Sequence, residues 1–161
     1  MNTEIYSATM VKSPVGLLTV VMQGKDLVGI TWPKDKRKFD WTFVKDIKES
    51  PASKKMAKEL LQFFKTKKFK SKIWTELTGT ELQIEVWQAL LEIPFGHTAT
   101  YSEVAQILKR PKATRSVASA IGKNPISILI PCHRVVGKNK SLTGFAGGLK
   151  AKKWLLDWEQ S

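Results

Sequence analysis

Apolar residues follow two rhythms along this chain. In the first third they fall in short β-branched and aromatic runs, "IYSATMVK" at 5–12, "GLLTVVMQ" at 16–23 and "LVGITWP" at 27–33. The turn-forming stretches "SPVG" and "GKD" separate them, so the pattern predicts a three-stranded meander. From residue 51 the spacing lengthens. Met56, Leu60, Leu61 and Phe64 recur at helical intervals and predict a helix near 51–66. The lysine-rich segment 65–72 reads as a linker.

The second half is mostly helical. In "GTELQIEVWQALLEIP", Thr80 and Gln83 stand in capping-box register, Leu82, Val86, Ala89 and Leu90 give an apolar face, and Pro94 stops the helix. "TATYSEVAQILK" predicts a helix from about Ser102 to Leu108. "RPKA" breaks it, and "TRSVASAIGKN" predicts another ending near Gly122. Two short helices across a tight turn make a helix-turn-helix candidate. A last helix, "LKAKKWLLDWEQ", follows Gly147 and Gly148. Strands first and helices after give an α+β chain, with a domain expected over 1–75 and a second over 76–161.

Charge changes this picture more than size does. The 161 residues hold 27 Lys plus Arg against 14 Asp plus Glu, a net charge of +13. That sign favours polyanions, nucleic acid first and an anionic membrane surface second. Residues 1–75 carry 16 basic and 7 acidic residues, whereas 76–161 carry 11 and 7. Much of the surplus lies between Lys54 and Lys72, where a solvated helix face is the simpler reading. Charge therefore permits nucleic-acid binding without locating it. No run approaches the ~18 apolar residues of a membrane span, so a soluble, cytoplasmic protein is expected. A single cysteine and two histidines leave the zinc-site spacings absent and exclude an intramolecular disulfide.

That cysteine, Cys132, sits in "ILIPCHRVVGKN" between Pro131 and His133. A thiol attacks as thiolate, and an ordinary pKa of ~8.5 leaves only a few per cent ionised at neutral pH. Activation needs a base, a positive environment or both. His133 and Arg134 follow directly, yet neighbours in an extended segment point opposite ways, so contact requires a turn at Pro131 or a bridging water. An acid to orient the imidazole comes from elsewhere, with Asp157 and Glu159 as candidates. An inert, buried cysteine remains the alternative.

"IPCHRVV" resembles the active-site signature of the O6-alkylguanine-DNA alkyltransferases, the methylated-DNA–protein-cysteine methyltransferases. "GTELQIEVWQALLEIPFGHTATYSEVA", "ATRSVASAIGKNP" and "GFAGGLKAKKWLLDWE" extend the resemblance over the whole second half. It implies a small ribonuclease-H-like meander-and-helix domain followed by a mostly helical winged helix-turn-helix domain. It also implies direct, single-turnover repair of double-stranded DNA carrying O6-alkylguanine, with alkylated thymine a further possible substrate. A monomer is implied, with no cofactor, metal or membrane.

The resemblance assigns roles position by position. Cys132 matches the alkyl acceptor, His133 its water-mediated base and Glu159 the acid orienting that base. Asn124 matches the asparagine bracing the active-site turn, and Tyr101 the tyrosine that protonates or polarises the departing guanine. Arg115 resembles the arginine that enters the duplex where the damaged base swings out. Small residues beside it, Ala113, Ser116 and Ser119, suit close docking in the minor groove. Val135, Phe145, Ala146 and Lys152 resemble the surroundings of the base pocket. Phe145 and Ala146 stand where relatives often carry tyrosine and serine, which removes hydroxyls from that pocket. Two other classes compete. A lesion sensor of this type would lack Cys132, and a thiol hydrolase would turn over and have no use for Arg115. His97 receives no role.

Overall fold

The computed structural model describes residues 6–71 and 77–161. The described residues divide into two compact units, one within Met1–Glu76 and one in Leu77–Ser161. The expected boundary at 75/76, with Ile5 and Lys72, lies outside the described residues.

The first unit is built on an antiparallel meander of β1 (Tyr6–Ser13), β2 (Gly16–Gln23) and β3 (Asp26–Thr31), in that spatial order. Ser13 pairs with Gly16 across a two-residue turn, and Gly16 takes a φ of +114° that side chains rarely adopt. Between β2 and β3 the register slips, Val21 facing Gly29 and Met22 facing Leu27, so Val28 is the extra residue of a bulge. Gly29 meets the Trp41 ring, which lies 2.4 Å from where a Cβ would sit.

Helix α1 (Pro51–Thr66) starts where expected, for reasons visible in "ESPAS". Ser50 caps it, Pro51 supplies a fixed φ at the first position, and Ser53 reciprocates the cap. Ser53 is wholly buried and also accepts a hydrogen bond from Thr9 of β1 at 2.8 Å. Below it Ala57, Leu60, Phe63 and Phe64 are buried, while Met56 and Leu61 are only half-buried. Each large side chain in that row contributes about 1.5–3 kcal/mol by leaving water. Lys67 ends the helix in the left-handed region, and Phe69 then packs edge-on against Phe63. The stretch expected to be a linker thus begins as helix and folds back on α1.

The second unit packs α2 (Glu81–Leu91), α3 (Tyr101–Ile107) and α4 (Thr114–Gly122) together, with α5 (Leu149–Gln160) closing the chain. Thr80 and Gln83 form the expected capping box, and Thr100 with Glu103 form a second at α3. The Trp87 indole on α2 donates to the Ala120 carbonyl of α4 at 2.9 Å. Two short strands, β4 (Ala99–Thr100) and β5 (Val135–Val136), run parallel with Ala99 beside Val135. That pairing fixes the start of α3 next to the segment just after Cys132. The described residues form a mixed α+β fold with five α-helices and a small antiparallel sheet. Among the described residues no helix is long and apolar enough to cross a membrane.

Candidate active site

The route from α4 to Cys132 is held by one side chain. Asn124 is wholly buried; its amide donates to the Ile130 carbonyl at 2.7 Å, and its oxygen accepts from the Ile126 N–H at 3.0 Å. Inside the loop so closed, Ile128 has a φ of +77° and the Leu129 N–H donates to the Ser127 carbonyl, a strained γ-turn. A β-branched residue in that region costs about 1–3 kcal/mol and persists only where its surroundings over-determine it. Burial of Ile126, Ile128 and Ile130 supplies that restraint. A second, unstrained γ-turn follows at Pro131, where the Cys132 N–H donates to the Ile130 carbonyl at 2.8 Å.

Cys132, His133 and Arg134 then form a 3₁₀ turn. Three residues per turn spread their side chains around an axis, where an extended segment would alternate them. The turn therefore replaces the extended geometry considered for this stretch. Cys132 is 8% exposed and His133 1% exposed.

Glu159 of α5 receives both residues that follow the cysteine. His133 Nε2 lies 2.6 Å from Oε2, while Arg134 donates through Nε to Oε1 at 2.9 Å and through Nη2 to Oε2 at 3.0 Å. The Gly96 N–H also donates to Oε1, at 3.2 Å. Arg134 is fixed further by the Ile93 carbonyl and by the Phe95 ring beneath its guanidinium. In the last turn of α5, where fraying would be ordinary, Glu159 is buried and anchored. Asp157, the other acid considered, is exposed and pairs with Lys153.

Charge states follow from these contacts. Burial alone would raise the Glu159 carboxyl, but hydrogen bonds from His133 and Arg134 hold it down at about 2. Burial lowers the His133 pKa below its ordinary 6.5; Glu159 opposes this, and the Arg134 and Lys152 charges push it further down. At neutral pH the pair is therefore carboxylate and neutral imidazole. With the carboxylate on Nε2, that nitrogen carries the proton and Nδ1 keeps a lone pair. Nδ1 is buried and has no hydrogen-bond partner among the described residues. The arrangement is a base with its acceptor atom open.

A second cation lies close by. The Lys152 side chain is almost wholly buried and its Nζ donates to the Thr143 carbonyl at 3.2 Å. Burial lowers its pKa, and the charge of an ionised Cys132 acts in the opposite direction. Each charge thus favours the other. Thr143 also contacts Tyr101, the first residue of α3, whose hydroxyl shares a 2.8 Å hydrogen bond with Thr143 Oγ1. The loop carrying Thr143 is tied by the Gly137 N–H donating to Ser141, and a Cβ at Gly137 would sit 2.9 Å from Thr143 Cγ2. The Phe145 and His133 rings meet in a T-shaped arrangement, and Val135 is buried on β5, while Ala146 is exposed.

Cys132, His133, Glu159, Lys152 and Phe145 are thus drawn into one cluster, with Asn124 supporting its floor and Tyr101 joined through Thr143. Arg115, Ser116 and Ser119 instead lie exposed on α4, with half-buried Ala113 at its start. Val117, Ala120 and Ile121 face inward. His97 is exposed in its loop. Sequence reasoning gave no role to Arg134 or Thr143. A charged residue inside the run "IPCHRVV" was a signal for Arg134, since a buried arginine needs a partner. Thr143 had none, because its part depends on the path of the loop.

The chain is similar to known proteins over most of its length. The family described as 6-O-methylguanine DNA methyltransferase, DNA binding domain, matches residues 81–161. The chain is 40% identical over 159 residues to the methylated-DNA–protein-cysteine methyltransferase of Haemophilus influenzae, covering 98% of this chain and 88% of that one. A protein of the same name from Methanosarcina mazei is 40% identical over 158 residues, 94% and 96% of the two chains. Among solved structures, Mycobacterium tuberculosis O6-methylguanine methyltransferase superposes with a TM-score of 0.82 at 33% identity, covering 96% of this chain and 93% of that one. The structure of Mycobacterium tuberculosis OGT in complex with DNA gives the same TM-score and identity over 96% and 92%.

Proposed function

Because this chain belongs to the methylated-DNA–protein-cysteine methyltransferase family, we propose that Cys132 is its alkyl acceptor and that the surrounding cluster supplies the chemistry. The protein repairs DNA by moving an alkyl group from O6-alkylguanine to its own cysteine, once per molecule. The observation that carries the assignment is the ordered set around the sole cysteine: a neutral imidazole held at 2.6 Å by an ionised carboxylate, beside a buried lysine.

The reaction is a displacement at carbon. His133 Nδ1 takes the Cys132 proton through a bridging water, and the Glu159 carboxylate stabilises the imidazolium that forms. The Lys152 ammonium favours the thiolate electrostatically. Cys132 Sγ then bonds to the alkyl carbon while the carbon–O6 bond breaks, its electron pair passing to the guanine. The guanine takes up one proton, balancing the one lost by the thiol. Tyr101 donates a hydrogen bond to the departing base, and Phe145, Ala146 and Val135 flank it. The product is a thioether, which nothing in the site can reverse.

An alkyl carbon within stacked bases is out of reach of a thiolate that is 8% exposed, so the damaged nucleotide must be flipped into the site, at a cost of a few kcal/mol. We assign α3 and α4 to a winged helix-turn-helix within residues 76–161. Arg115 fills the gap in the duplex, and Ala113, Ser116 and Ser119 allow close approach in the minor groove. Residues 1–75 form the ribonuclease-H-like domain, and the protein acts as a monomer on double-stranded DNA. Substituting Cys132→Ser tests the acceptor. Duplex binding is expected to persist and alkyl transfer to vanish, because a hydroxyl ionises too poorly to attack. Transfer by the serine variant would remove Cys132 from the reaction.

A further inference from the structure

Two groups given roles in the reaction, on different elements, meet at one residue that carries no assigned role. Thr143 receives the buried Lys152 ammonium on its carbonyl and shares a 2.8 Å hydrogen bond between its hydroxyl and that of Tyr101. Either oxygen of the hydroxyl pair can be the donor. A phenol engaged in donating to Thr143 has no proton left to offer a base. A phenol accepting from Thr143 keeps its own O–H free, and its donor strength rises because hydrogen bonds in a chain polarise one another.

We propose that Thr143 is a positioning residue for the leaving-group side of the reaction. Its hydroxyl donates to Tyr101 and so aims a strengthened phenol O–H at the departing guanine. The proposal rests on the role given above to Tyr101. The anchoring explains why threonine can serve: Lys152, itself packed within α5, fixes the Thr143 backbone, and the Gly137–Ser141 closure fixes the loop before it. The side chain is therefore presented from a braced backbone. Thr143→Val removes the hydroxyl, keeps the shape and leaves the carbonyl contact with Lys152 in place.

Single-turnover transfer from duplex DNA containing O6-methylguanine is measured for wild type, T143V, T143S, Y101F and the Y101F/T143V pair. Alkylation of Cys132 by iodoacetamide is measured alongside, since iodide leaves without needing a proton donor. General acid assistance contributes about 10²–10⁴ in rate, so losing only its aim is expected to slow T143V by about tenfold. T143S restores the rate, iodoacetamide labelling stays at the wild-type rate, and T143V adds little once Tyr101 is Phe. Three results overturn the proposal alone: Y101F slow with T143V fast, equal losses in T143V with both alkylating agents, or additive losses in the pair. A Y101F protein as fast as wild type removes the underlying role of Tyr101, and the proposal with it.

Discussion

Glu159 holds a neutral imidazole and a guanidinium on the same two oxygens, and that double duty decides what its loss would do. Removing one member of a buried ion pair leaves the other uncompensated, at about 3–5 kcal/mol. Glu159→Gln is therefore expected to lower unfolding free energy on that scale, read by urea denaturation, besides slowing transfer. A stable but slow variant would mean that Arg134 finds another partner. The pH dependence has a definite sign. His133 is depressed below 6.5, so the unfolded chain takes up its proton first and stability falls as pH drops below that value. Glu159 adds a second loss between its ordinary 4.5 and about 2. The transfer rate is expected to be level near neutrality and to fall with an acid midpoint below 6.5, measured in single-turnover reactions. A midpoint above 6.5 would contradict a neutral, desolvated base.

At the scale of elements, the segment from Asn124 to Arg134 matters most, because two γ-turns and a 3₁₀ turn deliver the thiol with hardly any regular structure. Asn124→Ala would strand the Ile126 N–H in a buried place and leave the Ile130 carbonyl with the Cys132 N–H alone. The expected cost is about 1–3 kcal/mol for the stranded N–H, with slower transfer because the loop around the strained Ile128 loses one of its ties. Helix α4 is proposed to make a separable contribution. Arg115→Ala is expected to slow duplex repair far more than reaction with free O6-benzylguanine, which needs no extrusion. Equal losses would make Arg115 a support of the fold. Elements of this kind differ in how far sequence reveals them. Thr80 announces its helix start by local hydrogen bonding, and the β1–β3 runs announce strands by composition. The 3₁₀ turn at Cys132 was not legible, because it depends on Asn124 reaching across six residues. The seating of Arg134 on Glu159 was equally hidden, since 25 residues separate them. Resemblance supplied Glu159, and the fold supplied the reason it does not fray.

For the molecule as a whole, the +13 charge and the exposed face of α4 favour DNA binding through phosphates, with little sequence preference. Affinity is expected to fall as salt rises. Neutralising Lys67, Lys68 and Lys70 should barely change the salt slope if the α1 region is a solvated face. A slope reduced by about one unit per lysine would place them on phosphates instead. The central claim concerns stoichiometry, because a thioether cannot be undone by any group in the site. Intact-protein mass after incubation with excess duplex containing O6-methylguanine tests it most directly. One methyl per molecule, mapped to the peptide holding Cys132, with repair stopping at one equivalent, is the expected result. Repair beyond one equivalent, or lesion binding with no gain in mass, would contradict the account.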